Sequence, residues 1–498
     1  MKNASKLCNW IRKNKETTFL GIILIFAFYL RIYNLGVPSF WIDEAISTTA
    51  SLNILEKGVP IFDSGILYSR ALFFHYFQAM FLLIGKIFNM DFFARFSSVF
   101  FGLLTIVLGY FIGKEYSLNK KKAWISGIIV ALFFGIFSLQ VFYSKQARFY
   151  QLFQLLFFSC LFFLYKSKEN SKFLYVSLIC FFITINTQIQ GLVLAPFFVL
   201  HILIYSKGKL KYLAILPVIP LIRNFFPVLG LTQVASSGFS ESTQVFFSNY
   251  FKRYFSFTKN ILYFVILSFP GVIWSYLKNK RLTLLIFTPC FIAFLGILNL
   301  QVFAFRYSYF FFFIIILYSA LLFCFLYEKY GKSMFIPLIL ILLIPSNLFF
   351  PLTYGTVLKP IDSQMFDSSA PVIEYKNIPE SLLNELKKDN TKIITYFSPS
   401  VEYYIKKPDY VLPFSMDGRG KDSISRNNSE GKRVDVYSGA LIIEDIENIL
   451  ETEGEFYFIA SSYAVSKLKG NQTNNINYAE ENCIKRYSER TFRVYFCE

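Results

Sequence analysis

Histidine is scarce in this chain, which argues against a zinc site, and acidic residues are scarce in its first 356 positions. Only His75 and His201 occur in 498 residues, and no spacing of cysteine and histidine resembles a zinc site. The C-terminal part has no glycine-rich phosphate loop, since Gly418-Arg419-Gly420 is too short to form one. Only ten aspartate and glutamate residues occur in the first 356 positions. An acidic pair in that region is therefore a candidate for a specific function.

Apolar residues are abundant in this chain. Hydrophobic residues make up 55% of the chain and aromatic residues 20%, which is more than one globular core can bury. Long apolar runs alternate with short charged connectors, and each run is near the roughly 20 residues that a helix needs to cross a bilayer. No small-residue cleavage site follows the first run, so we expect it to be retained as a helix. The sequence predicts a polytopic α-helical membrane protein.

The net charge of +18 is unevenly distributed. From Val357 onward there are 18 basic and 22 acidic residues, so the first 356 positions hold 32 basic and only ten acidic residues. Lysine and arginine flanking membrane spans are kept on the cytoplasmic side. The basic excess therefore indicates topology, and we expect no nucleic-acid partner.

Basic clusters recur along the chain and predict its transmembrane topology. If they and the N-terminus are cytoplasmic, an even number of spans separates consecutive clusters, and the C-terminus lies outside. The clusters are 114–122, 166–172, 207–211, 278–281 and 329–332. The eleven predicted spans are 18–36, 95–113, 123–142, 148–165, 173–189, 190–206, 212–230, 259–277, 282–302, 308–327 and 333–352.

Two predicted domains follow from this topology. Residues 1–356 form the membrane domain, whose long first outer loop, 37–94, is expected to carry two amphipathic helices against the bilayer surface. Residues 357–498, with ordinary soluble composition, form an extracytoplasmic α/β domain. Helices are predicted from Pro379 to Leu386 and over 441–450, each followed by a buried strand, at 392–397 and 455–460. A second outer loop is expected at 231–258.

The cysteines fall into two groups. Cys483 and Cys497 lie in two extended segments whose turn would centre near Glu489-Arg490, so they would face each other across a hairpin. They form a disulfide if the outer compartment is oxidising, and otherwise remain thiols. The others are interpreted as small apolar fillers: Cys8, Cys160, Cys180, Cys290 and Cys324.

Asp43 and Glu44 form an adjacent carboxylate pair just outside the first apolar run. Ionisable groups this close to a bilayer are costly and are usually kept for a task, such as proton transfer. The alternative is a helix cap or a solvated charge. Two adjacent carboxylates are too few ligands to predict a divalent metal ion, and the sequence requires no cofactor.

Several basic residues lie outside the cytoplasmic clusters, at the predicted outer mouths of the spans. Such a ring could bind an anionic headgroup through charge-assisted hydrogen bonds. The alternative is that each side chain snorkels to lipid headgroups. The candidates are Arg70, Arg95, Lys145, Arg148 and Arg306.

At this point the chain resembles a known family. Arg31-Ile32-Tyr33-Asn34-Leu35 followed by Phe40-Trp41-Ile42-Asp43-Glu44-Ala45 is similar to the first outer loop of GT-C glycosyltransferases, in the group of protein O-mannosyltransferases and lipid A aminoarabinose transferases. Ala94-Arg95-Phe96-Ser97-Ser98 resembles the family's Arg-Leu-Pro-Ser start of span two. The turn from Tyr143 to Tyr150 resembles its Ala-Arg-Pro-Tyr motif, and Arg306-Tyr307 resembles its late Arg-Tyr.

The chain also departs from that family. Where many members have His-Pro-Pro-Leu, it has Tyr68-Ser69-Arg70-Ala71-Leu72, which puts donor contacts at this position in doubt. This difference argues against a close protein mannosyltransferase. The tryptophan-rich signature of oligosaccharyltransferases is missing as well.

The resemblance implies an inverting transfer of a hexosyl or pentosyl group from a polyprenyl- or dolichyl-phosphate donor to a protein, lipid or glycan on the outer face of a prokaryotic cell membrane. Asp43 matches the family's base and Glu44 would orient the acceptor or the loop, while Arg95, Arg148 and Arg306, with Arg70 and Lys145 behind them, would bind the donor phosphate. Two rivals stay open, namely a transporter or flippase of a lipid-linked anion and an inactive lipid-binding family member.

Overall fold

The structure is a computed structural model, and the part that it describes covers most of the chain. The described residues are 13–117, 119–205, 262–298, 305–334, 373–396, 398–413, 425–428, 430–462 and 473–498. Several predicted features lie outside these residues: the span 212–230, nearly all of 333–352, the outer loop 231–258 and the Gly-Arg-Gly stretch at 418–420.

Helices dominate the described residues between 13 and 334. They are α1 Lys15–Ile32, α2 Ile42–Lys57, α3 Leu72–Gly85, α4 Met90–Tyr116, α5 Ala123–Ile136, α6 Ser138–Ser144, α7 Tyr150–Lys166, α8 Lys172–Thr187, α9 Ala195–Tyr205, α10 Leu262–Lys278, α11 Lys280–Leu298 and α12 Phe312–Tyr330. Short 3-10 helices precede α9 and α12, at Ile189–Leu194 and Phe305–Phe311.

Among the described residues, helices overlap nine of the eleven predicted spans. Two are long and apolar enough to cross a membrane, Met90–Tyr116 and Arg306–Met334. The number eleven is therefore not confirmed, while the prediction of a largely helical chain is.

The predicted span 123–142 is not one continuous helix, and this expectation is corrected. Phe137 is extended, with φ −62° and ψ 121°, and it separates α5 from α6. The break frees carbonyl groups at the end of α5, which need donors because little water reaches them. Arg31, fully buried, supplies them from α1 and donates to the carbonyls of Gly135 at 2.8 Å and Phe134 at 3.2 Å.

The chain divides into two compact units. Of the described residues, the first unit holds those up to Leu35 and those from Arg95 to Met334. The second holds Gly36–Ala94 together with the residues from Ile373 onward. The predicted domain boundary at 356/357 lies outside the described residues.

The predicted outer loop carries two helices, but they differ in exposure. In α2 only Glu56 and Lys57 are exposed, and the helix packs against the C-terminal part of the second unit. The helix α3, in contrast, exposes Met80, Leu83 and Ile84. Of the two helices predicted to lie against a bilayer, only α3 therefore presents an apolar face.

The C-terminal part of the second unit contains an eight-stranded sheet. Its strands are β1 Ile393–Thr395, β2 Tyr410–Val411, β3 Ser425–Asn427, β4 Arg433–Asp435, β5 Leu441–Ile442, β6 Phe456–Ser461, β7 Ile484–Ser488 and β8 Phe492–Cys497. Their order is β3-β4-β5-β2-β1-β6-β8-β7. The four central strands are parallel and the flanking pairs antiparallel. Among the residues described from Ile373 onward, four α-helices accompany the sheet: α13 Glu380–Leu386, α14 Ser398–Tyr404, α15 Ile446–Glu453 and α16 Asn474–Asn482.

Most of the helices and strands predicted for this C-terminal part are present in the structure. The strand predicted at 392–397 contains the fully buried β1, and Pro379 directly precedes α13. The helix predicted over 441–450 is corrected, because Leu441 and Ile442 form β5 and α15 begins only at Ile446. The Asp445 side chain caps that helix by accepting the N–H of Glu447 at 2.9 Å.

Cys483 and Cys497 are joined in a disulfide. The antiparallel register sets Ile484 of β7 opposite Phe496 of β8, so the two cysteines also face each other. The bond closes the outermost hairpin of the sheet, whose turn contains Glu489 and Arg490.

Candidate functional site

The carboxylate pair lies in the first turn of α2. Trp41 is extended, with φ −76° and ψ 164°, so the helix begins at Ile42 and the pair follows at once. Negative side chains at this position interact favourably with the N-terminal end of a helix. Glu44 is 2% exposed and accepts the N–H of Trp41 at 3.4 Å, which closes the helix start. Asp43 is half-buried.

Three buried cations surround the end of α1 in the first unit. Arg95 donates to the carbonyl of Leu35 at 2.9 Å, and Lys145 donates to the carbonyl of Tyr33 at 2.7 Å. Arg31 donates to the Ser144 hydroxyl at 3.2 Å, directly before Lys145. We call Arg31, Arg95 and Lys145 the cation cluster, and none of its members is more than 2% exposed.

Lys145 lies in the turn between α6 and α7. Burial lowers the pKa of its ammonium to about 7, and the nearby charges of Arg95 and Arg31 lower the pKa further in the same direction. Lys145 is thus protonated below about pH 7 and increasingly neutral above it. An anion bound beside Lys145 would raise its pKa again, because opposite charge favours the protonated form.

Arg148 closes the same turn and is 1% exposed. Its guanidinium carbon lies 4.8 Å from the centre of the Phe149 ring and 5.6 Å from that of Tyr150. The backbone is fixed to α4, since the Ser98 hydroxyl donates to the Arg148 carbonyl at 2.9 Å. The family-like motifs around Arg95 and Arg148 are therefore adjacent in the first unit.

The remaining two predicted cations are placed differently. Arg306 is half-buried, and its guanidinium carbon lies 5.4 Å from the centre of the Tyr307 ring. Arg70 is exposed and belongs to the second unit, shortly before α3. Of the five predicted phosphate ligands, Arg95 and Lys145 belong to the cation cluster, and Arg148 lies in the same turn as Lys145.

Sequence reasoning did not assign a site role to Arg31 or to the polar side chains below the turn. The Ser144 hydroxyl donates to the carbonyl of Gln140 at 2.5 Å, and the Tyr309 hydroxyl lies 2.6 Å from Gln151 Oε1. Gln151 in turn donates to Thr105 of α4 at 2.9 Å. The sequence did contain a signal for these residues, namely an arginine in the last turn of an apolar helix and glutamines inside apolar runs. Burying such side chains costs free energy unless they have hydrogen-bond partners.

No group of three His, Cys, Asp or Glu side chains among the described residues is arranged to hold a metal ion. The carboxylate pair contributes two neighbouring ligands, one of which already closes the start of α2.

Comparison with solved structures identifies the fold, whereas no protein-family model and no curated protein matches the sequence. ArnT from Cupriavidus metallidurans in the apo state matches with a TM-score of 0.60 and 10% identity, over 99% of this chain and 98% of that one. The same enzyme bound to undecaprenyl phosphate gives 0.57 and 11%, with 98% of each chain covered.

The archaeal oligosaccharyltransferase AglB from Archaeoglobus fulgidus, in complex with an inhibitory peptide and a dolichol-phosphate, gives a TM-score of 0.51 and 13% identity. It covers 98% of this chain and 74% of that one. ArnT and AglB are both GT-C glycosyltransferases and integral membrane proteins. This chain therefore has the fold of these enzymes, as the resemblance implied.

Proposed function

We propose that this protein is a glycosyltransferase that moves a sugar from a polyprenyl-phosphate donor to an acceptor on the outer face of the membrane. The observation that carries the proposal is the buried cation cluster, which occurs in a fold shared with an enzyme bound to undecaprenyl phosphate. The sugar is a hexosyl or pentosyl group, and the acceptor is a protein, a lipid or a glycan.

In the proposed reaction Asp43 is the general base. The acceptor hydroxyl or amine attacks the anomeric carbon, its proton passes to the Asp43 carboxylate, and the bond from that carbon to the lipid phosphate breaks with its electron pair. Direct displacement inverts the configuration at the anomeric carbon. Glu44 orients the start of α2 through its hydrogen bond to Trp41, so its role is structural support of the base.

The leaving lipid phosphate gains negative charge as the bond breaks. Arg95, Lys145 and Arg148, with Arg306 and Arg70, stabilise that charge in this proposal. Buried cations act strongly because the surrounding protein screens them less than water does. A divalent metal ion is not needed for this scheme, although carboxylates and phosphate oxygens together could also coordinate one.

The experiment is a comparison of outer-surface glycans, by mass spectrometry, between a strain lacking the gene and the same strain complemented with the wild-type chain. We expect one glycan or glycan modification to disappear and to be restored by the wild-type gene but not by Asp43→Asn. Equal restoration by Asp43→Asn contradicts the assignment of the base. Accumulation of a sugar-linked polyprenyl phosphate on the cytoplasmic side, rather than loss of transfer, identifies a flippase instead.

A further inference from the structure

The segment that leads into α2 is held by side chains from the C-terminal part of the same unit. The N–H of Ser39 donates to the Glu374 carboxylate at 3.1 Å, and the N–H of Phe40 donates to the Tyr404 hydroxyl at 2.6 Å. Ser39 and Phe40 are fully buried. These contacts fix the backbone only three residues before Asp43.

Asp91 determines the direction in which the Tyr404 hydroxyl points. That hydroxyl donates its single proton to Asp91 Oδ2 at 2.8 Å, so a lone pair remains for the N–H of Phe40. The neighbouring Tyr403 hydroxyl donates to Asp91 Oδ1, also at 2.8 Å. Asp91 is 5% exposed, which strengthens these charge-assisted bonds.

Lys376 completes the arrangement. Its ammonium lies 2.5 Å from Asp91 Oδ2 and donates to the carbonyl of Gly36 at 2.6 Å, while its backbone N–H donates to the Ser39 hydroxyl at 3.2 Å. The Phe40 ring packs against both tyrosines, with centroid distances of 5.0 Å to Tyr403 and 6.1 Å to Tyr404. Residues 36–40 are therefore held by charge, hydrogen bonds and ring packing together.

We propose that Tyr404 and Asp91 are positioning residues that hold the Asp43 carboxylate in its working position, a role that rests on the proposed function of Asp43 as the base. Because α2 begins at Ile42, only two residues after Phe40, a shift of the Phe40 backbone moves Asp43 with it. A misplacement of about 1 Å can cost about 100-fold in rate. The C-terminal domain thus acts on the acceptor side of the reaction and leaves binding of the donor phosphate unchanged.

The test uses the full-length protein in nanodiscs and the sugar-linked undecaprenyl phosphate that the glycan comparison identifies. Tyr404→Phe removes one hydroxyl and keeps the ring. We expect kcat to fall about 10- to 100-fold, with the Kd for undecaprenyl phosphate unchanged within about twofold. Asp91→Asn, as a second variant, is expected to lower kcat in the same way.

Tyr403→Phe is the matched control. It also loses a bond to Asp91, but the N–H of Phe40 keeps Tyr404 as its acceptor, so kcat should change less than about threefold. Amide hydrogen exchange over residues 39–41 should be faster in Tyr404→Phe than in the wild type and unchanged in Tyr403→Phe.

A double variant separates positioning from a general structural effect. If Tyr404 acts through Asp43, Tyr404→Phe combined with Asp43→Asn transfers no more slowly than Asp43→Asn alone. An additional loss in the double variant, or an unchanged kcat in Tyr404→Phe, overturns the positioning role while the loss in Asp43→Asn still supports the proposed function. Normal transfer by Asp43→Asn itself overturns both.

Discussion

At the scale of single residues, the proposed contact between Lys145 and the donor phosphate predicts that donor binding depends on pH. Burial and two neighbouring arginines lower its pKa to about 7, so its positive charge is present below that pH and is lost as the pH rises. A phosphate monoester is already doubly ionised above its second pKa of about 6. We expect the affinity for undecaprenyl phosphate to fall by up to about tenfold between pH 7.5 and 8.5.

Binding of undecaprenyl phosphate, measured by calorimetry in nanodiscs across that pH range, checks this prediction. Lys145→Met should bind weakly at every pH with a flat profile, and Lys145→Arg should bind tightly at pH 8.5 because arginine stays charged. A wild-type profile as flat as that of Lys145→Met would show that the Lys145 charge does not contact the phosphate.

At the scale of elements, the approach of α4 to the turn after α6 depends on a missing side chain. A Cβ built on Gly102 of α4 would clash with the Ser144 hydroxyl and would lie 3.2 Å from Arg31 Nε. Gly102→Ala should therefore push the turn away and lower stability by about 1–3 kcal/mol. The temperature of thermal unfolding in detergent should decrease, and so should the affinity for undecaprenyl phosphate.

Gly21→Ala in α1 is the matched control, since nothing lies within 4 Å of its built Cβ. Alanine there should leave stability unchanged or raise it slightly, because it restricts the unfolded chain. Equal behaviour of the two alanine variants would contradict the tight packing at Ser144.

The hairpin of β7 and β8 carries a prediction about stability. The disulfide spans 14 residues, and cross-linking a loop of about this size stabilises a fold by about 3 kcal/mol in the chain-entropy account. Replacing Cys483 and Cys497 together by serine should lower the free energy of unfolding by about 2–3 kcal/mol. Chemical denaturation of both forms measures the difference, and Cys180→Ser, which removes a free thiol, should have little effect.

Local pattern predicted these elements well where one physical signal dominates. The apolar runs locate helices, and the two extended segments that contain Cys483 and Cys497 locate a hairpin. The break at Phe137 was not predicted, because Gly135 alone is a weak signal inside an apolar run and Arg31, over one hundred residues away in sequence, satisfies the freed carbonyls. Similarly, the burial of α2 depends on contacts with α14, which local periodicity does not encode.

At the scale of the whole molecule, the positive-inside argument makes a prediction about topology. Lys387, exposed in the C-terminal domain, should lie outside the cell, and Lys121, exposed in a basic connector, should lie in the cytoplasm. In intact cells, a membrane-impermeant maleimide should label Lys387→Cys and not Lys121→Cys. The wild-type chain measures the background from its own cysteines, and the reverse labelling pattern would invert the proposed topology.

Individual residues of the candidate site could be predicted from the sequence, but the contacts between distant residues could not. Asp43 stands out because acidic residues are scarce in the first 356 positions, and Arg95 and Arg148 stand out because they lie outside the basic clusters. The order of their motifs implies the fold that the structure has. The proposed dependence of Asp43 on Asp91 and Tyr404 involves residues far apart in the chain, so no single stretch of sequence predicts it.

The central claim is that Asp43 takes the acceptor proton during sugar transfer. The most direct measurement compares wild type, Asp43→Asn and Glu44→Gln for single-turnover transfer and for undecaprenyl phosphate binding in nanodiscs. Loss of one catalytic base typically costs about 10²- to 10⁴-fold, so we expect transfer by Asp43→Asn to fall by that factor with unchanged lipid affinity, and Glu44→Gln to retain more activity. Wild-type transfer rates in Asp43→Asn would contradict the account.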